Sequence, residues 1–213
     1  MALNVILTTA YFPPIQYFSE IINSENIYIE TNENYSRQSY RNRCHILSCN
    51  GILPLSIPII RQTNGENNIS QIKIDYSTDW QRLHINAIIS AYGKSPFFEY
   101  YSETIINNIK QKNELLIELN NNIVLSIFEI LKIKNKLNKT ERFIKEYTKE
   151  TRDLRYTIHP KKSMSEDTVL LNNKYIQTFS DRFSFIPNLS VLDLIFNVGP
   201  DSINYLKQWS RQK

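Results

Sequence analysis

The chain has 213 residues, of which 41% are apolar and 12% aromatic, with 25 Lys and Arg against 21 Asp and Glu. That length suits one domain, and that apolar content buries a real core, so a disordered chain is excluded. Near-balanced charge argues against a nucleic-acid-binding protein, and no run of about 18 uncharged apolar residues is present to span a membrane.

Residues 1–9 lack the cationic start, long apolar stretch and small-residue cleavage site of a secretory signal, so a cytoplasmic location is expected. Cys44 and Cys49 flank one expected strand and are read as free thiols of a reducing compartment. With His45 they lack both CxxC spacing and a second pair, so no metal site is assigned. No cofactor-binding signature is present either.

In chain order, the apolar, β-branched run 4–10 reads as a buried strand stopped by Pro13 and Pro14. Tyr17, Phe18, Ile21 and Ile22 then have helical spacing, and 27–30 reads as a second strand. This βαβ-like opening places the turn 11–16 beyond a strand's carboxyl end, where open α/β sheets hold ligands. Segments 44–49 and 52–59 are a hairpin closed by Asn50-Gly51, with Pro54 and Pro58 restricting the second strand to an edge. Alternating Ile over 69–75 predicts another strand.

Three helices follow. Thr78 and Gln81 fit a capping box for a helix whose apolar stripe is Trp80, Leu83, His84, Ala87, Ile88, Ala91 and Tyr92, ended by Gly93. Ser95 and Pro96 are expected to open the next, and 114–131 is the third. Residues 132–153 carry Lys132, Lys134, Lys136, Lys139, Arg142 and Lys145 and little periodicity, which makes them a candidate mobile segment. Further on, 175–179 is a strong element, and 190–209 reads as two helices punctuated by Gly199-Pro200. The expected architecture is one α/β domain over 1–213, with a central mixed sheet, packed helices and a helical C-terminal section.

The sequence contains no GxGxxG, GxxxxGK[ST], GxSxG or HExxH. Four clusters remain. The rigid turn Tyr11 to Phe18 offers stacking surface and hydrogen bonds from Tyr11 and Gln16, or simply packs as core. Arg41 and Arg43, flanking Asn42, share a face of an extended chain, as a clamp for phosphate or carboxylate or as a charged edge. His84 sits in an apolar stripe, where burial tunes its protonation, as a general acid or base or as a hydrogen-bonded core histidine. Asp193 and Asn197, four apart, present a carboxylate and an amide on one helix face, or serve as capping groups.

Several of these motifs occur together in the order found in the WbqC-like family, which the chain resembles over nearly its whole length. The carrying residues are Tyr11 to Phe18, Arg41-Asn42-Arg43 before Ile57-Pro58-Ile59, Trp80 with His84, Ala91-Tyr92-Gly93-Lys94-Ser95-Pro96-Phe97-Phe98, and Leu189 to Pro200. Family members have Gln-Pro opening the first turn and Gly before Tyr-Phe; here Ala10-Tyr11 and Gln16 stand instead, so roles resting on that Gln or Gly do not transfer. The segment from Asp153 to Lys162 looks like a subfamily feature. Members lie in surface-polysaccharide gene clusters, which implies a transferase moving an amino-acid or acyl group to a sugar.

The residue chemistry fits that implication at two points. Arg41, Asn42 and Arg43, with Tyr11, Gln16 and Asn197, would bind an anionic donor such as a nucleotide-sugar or an acyl carrier. His84 and Asp193 would deprotonate the acceptor amine or hydroxyl. No covalent nucleophile stands out, so direct transfer is expected, in one pocket where these residues converge. The rival expectation is a non-catalytic protein that binds a glycan or a partner through the same groups.

Overall fold

The computed structural model of the chain describes residues 4–60, 67–162 and 174–208. Strand β1 (Asn4–Thr8) leads through helix α1 (Ile15–Ile22) to β2 (Asn26–Glu30), and the two strands pair in parallel with Val5 opposite Ile27 and Thr8 opposite Glu30. The opening is therefore a parallel βαβ unit. Val5, Leu7, Ile27 and Ile29 are almost wholly buried, each contributing roughly 1.5 to 3 kcal/mol over an exposed position. Phe18 of α1 meets Phe128 edge-to-face across the core, with ring centroids 6.4 Å apart.

Strands β3 (Arg43–Ser48) and β4 (Gly51–Ser56) form the expected hairpin, with Gly51 at φ 99° in the left-handed region that the Asn-Gly turn needs. Pro54 is accommodated because this antiparallel pair stands apart from the main sheet, so both of its strands are edges. Helices α2 (Trp80–Tyr92), α3 (Phe98–Lys110) and α4 (Leu116–Leu131) follow. None of them is long and apolar enough to cross a membrane, nor is any other helix of the described residues.

Residues 132–153 supply both outer strands of the parallel sheet. Strand β5 (Leu137–Lys139) pairs with β2 and β6 (Thr151–Asp153) with β1, giving the order β5-β2-β1-β6. Three-residue edge strands bury too little to leave an apolar period, which is why the sequence there reads as featureless. The C-terminal section is α5 (Val191–Val198), a 3-10 turn (Gly199–Asp201) and α6 (Ser202–Gln208). Trp209, at the end of the expected helix, lies outside the described residues.

Three local expectations change. Instead of a strand at 69–75 there is a 3-10 turn (Ile69–Gln71), because the Asn68 side chain accepts from the Ser70 N–H and offers the backbone a turn. Isolated bridges from Ile74 to Ile59 and from Lys73 to Leu115 are what remains of the strand. Gln81 does not close a capping box; its amide reaches the Ile109 and Gln111 carbonyls and satisfies the end of α3. Ser95 donates its hydroxyl to the Tyr92 carbonyl, finishing α2, and α3 begins after Phe97.

Candidate functional site

The turn after β1 is core. Tyr11, Phe12, Tyr17 and Phe18 are at most 2% exposed, and Phe12 holds φ 36°, an uncommon conformation for a residue with a Cβ. Ser190, the N-cap of α5, fixes this turn by donating its hydroxyl to the Phe12 carbonyl at 2.9 Å. Gln16 is held against the C-terminal section, its backbone N–H donating to the Asn188 side chain.

Tyr11 and His84 come together: the tyrosine hydroxyl lies 2.9 Å from His84 Nδ1. Burial pushes the His84 pKa down to about 4, with the Ser56 backbone pulling the other way. His84 is a neutral imidazole, packed edge-on to Trp80 at 5.2 Å. Arg43 joins the same group through the Ser56 side chain, to which its Nε donates at 2.9 Å.

Arg41, by contrast, turns inward. Its guanidinium makes a two-armed pair with Glu33, and its carbonyl accepts from Asn120, which also donates to Thr9. Burial raises the Glu33 pKa, and the pairing with Arg41 works against that rise. Beside it at the carboxyl ends of the parallel strands, Arg155 donates to Glu30, to both oxygens of Asp153 and to the Ile144 carbonyl. Phe143 and Tyr147 stack near its guanidinium, at 4.8 and 5.1 Å from the ring centroids. This ionic layer braces the loops that leave the sheet.

Above those loops opens a cleft of about 390 Å³, lined by Tyr35, Arg37, Asn42 and Asn67 on its polar side and by Ile57, Pro58 and Ile72 on its apolar side. Burial raises the Tyr35 pKa while the charges of Arg41, Arg43 and Arg37 pull it back, so three guanidiniums act on one half-buried phenol. Among the described residues, Arg37 and Arg43 have no carboxylate partner. An aromatic ring, an apolar wall, two amides and the Arg37 guanidinium are the chemistry of an anionic ligand with a planar or ring portion.

Asp193 belongs to a different cluster. Its Oδ2 accepts from the Tyr175 hydroxyl at 2.6 Å and from Gln177 at 2.8 Å, and the Tyr92 hydroxyl also acts on the carboxyl group. Oδ1 has no hydrogen bond of acceptable geometry among the described residues. Burial raises its pKa against the effect of those three donors. Asn197 donates to the Asp193 carbonyl, accepts from Thr178, and lines a second cleft of about 480 Å³.

The expected site residues thus do not line one cleft among those described. Tyr11, His84 and Arg43 form one contact group, Asn42 lines the first cleft, Arg41 is paired beneath it, Asn197 lines the second cleft beside Asp193, and Gln16 holds the turn. Helix α2 touches both regions, with His84 near its start and Tyr92 at its end. Tyr35, Arg37 and Glu33 escape a reading of the sequence, although Arg37, Arg41 and Arg43 within seven residues was an available signal.

No solved structure matches the chain. A protein of Mycobacterium tuberculosis (strain ATCC 25618 / H37Rv) described as "Uncharacterized protein Rv1507c" is 24% identical over 224 residues, covering 95% of this chain and 96% of that protein. The pattern of the WbqC-like protein family matches residues 9–166, which include the β1 turn, the arginine loop, the β3–β4 hairpin, His84 and the Arg155 layer. The chain belongs to the WbqC-like protein family.

Proposed function

We propose that the chain is a cytoplasmic transferase of surface-polysaccharide biosynthesis that binds an anionic donor, a nucleotide-sugar or an acyl carrier, in the cleft above Tyr35. The observation that carries the reading is a cleft in which Arg37, without a carboxylate partner among the described residues, stands beside Tyr35, Asn42 and Asn67. Cys44 and Cys49 are both unpaired, which favours a reducing compartment. In this reading Arg37 holds the donor's negative charge, Asn42 and Asn67 its polar edge, and Tyr35 its ring.

Among the described residues, the cleft's lining contains no carboxylate, histidine or thiol. That favours a second reading, a glycan- or partner-binding protein without catalysis, in which the same groups only hold their ligand. A titration against nucleotide-sugars and acyl-coenzyme donors, in wild type and in Arg37→Ala and Tyr35→Ala, tests the shared step. A donor bound by wild type and lost in both variants supports it, and an unchanged affinity in both removes the cleft from consideration. Release of the transferred group onto a sugar acceptor then separates enzyme from binding protein.

A further inference from the structure

The second cleft has a composition of its own. Lys94 and Ser95 reach it from the turn after α2, Asn197 from α5, and Thr178, Phe179, Ser180 and Arg182 from the preceding loop. Its walls are therefore hydroxyls and an amide beside one half-buried aromatic face, with two cations and the Asp181 carboxylate at the edge. Among the described residues Lys94 has no ion-pair partner, and Arg182 reaches only its neighbour Asp181, loosely, at 3.8 Å. The cleft wall is also preformed, because Gln177 is tied to Asp193 and Ile186, and Thr178 to Asn197. A ligand there meets fixed groups and little ordering cost.

Hydroxyl and amide side chains around an aromatic face match a polyhydroxylated ring, and Lys94, which has no ion-pair partner among the described residues, with Arg182, held only loosely by Asp181, adds a preference for a carboxylate on that ring. We propose that this cleft binds a carboxylated sugar unit of the acceptor polysaccharide. The proposal rests on the transferase reading, since a sugar acceptor is what the second cleft would recognise. The two clefts share no lining residue, so in this reading the acidic sugar is a different unit from the one modified. The cleft would select the chain to be decorated, while the chemistry happens elsewhere.

Binding of sodium glucuronate, glucose and sodium acetate to the full chain, followed by ligand-observed NMR and calorimetry, tests this directly. The expected result is glucuronate binding at least about tenfold tighter than glucose or acetate, weakened about tenfold by Lys94→Ala and by Arg182→Ala. Arg37→Ala, in the donor cleft, should leave glucuronate binding unchanged, which keeps failure here separate from failure of the donor site. Equal affinity for glucose removes the acidic preference, equal affinity for acetate removes the sugar, and either result overturns the proposal. So does glucuronate binding that survives Lys94→Ala and Arg182→Ala, or none at all.

Discussion

Glu33 and Arg41 meet side by side, Nε to Oε1 at 2.9 Å and Nη2 to Oε2 at 2.6 Å, with both side chains at most 2% exposed. Glu33 also accepts the Ile69 N–H through its carbonyl, which ties the pair to the 69–72 segment that brings Ile72 to the first cleft. A charge buried this deeply is stable only while its partner stays. Glu33→Gln should therefore cost about 3 to 5 kcal/mol. The double replacement Glu33→Leu with Arg41→Met should cost less than Glu33→Gln alone. Urea unfolding of the three chains checks the order, and a double variant weaker than Glu33→Gln would contradict it.

His84 predicts a pH dependence with a definite sign. Its folded pKa is about 4, below the ordinary 6.5. Between those values the unfolded chain binds a proton on this residue that the folded chain does not, so stability rises with pH through the window. The contribution is fully present above pH 6.5 and falls by on the order of 3 kcal/mol as pH approaches 4. Burial of Glu33 and Asp193 raises their pKa values and acts in the opposite sense. The clean measure is accordingly the difference between wild type and His84→Gln at pH 7.5 and 4.5, which should shrink at the lower pH.

Arg155 is a test of geometry rather than charge. Its guanidinium bonds Glu30, Asp153 and the Ile144 carbonyl while Phe143 and Tyr147 lie against it, an arrangement that a point charge cannot reproduce. Arg155→Lys keeps the charge and should still cost about 2 to 3 kcal/mol, with faster hydrogen exchange at 141–150. Unchanged exchange there would show that Arg155 does not fasten the segment.

At Gly199, φ is 64° and an added Cβ would lie 2.4 Å from the Phe97 ring. Strain and overpacking combine, so Gly199→Ala should destabilise by about 3 kcal/mol in thermal unfolding. Gly51, at φ 99° with open space around it, carries backbone strain alone, and Gly51→Ala should cost clearly less.

Arg37 is exposed, and Arg37→Ala should leave stability within about 0.5 kcal/mol of wild type. Loss of donor binding in that variant would then be a loss of recognition, not of fold.

Much of the fold was legible in the chain itself. β1, β2, the Asn50-Gly51 hairpin, α2, α4 and the Gly199-Pro200 break follow from apolar period, turn chemistry and helix punctuation, which are local. The family resemblance also came from motifs in order. Local signals could not find β5 and β6, whose three residues each are specified by partners over a hundred positions away. Nor could they show where a charged side chain points.

Arg41 and Arg43 read as one clamp because an extended chain places them on one face. In the folded chain Arg41 is captured by Glu33 and Arg155 by Glu30 and Asp153, while Arg37 and Arg43 have no carboxylate partner among the described residues. His84 was legible as a titratable group tuned by burial and Asp193 as a carboxylate on a helix face, but their partners, Tyr11 for one and Tyr175 and Gln177 for the other, come from other segments. Composition and period determined which elements form and which faces are buried. Which charges are neutralised and which are left to meet a ligand was decided only when the loops beyond the sheet packed together, because ion pairing depends on distance in space and not on distance along the chain.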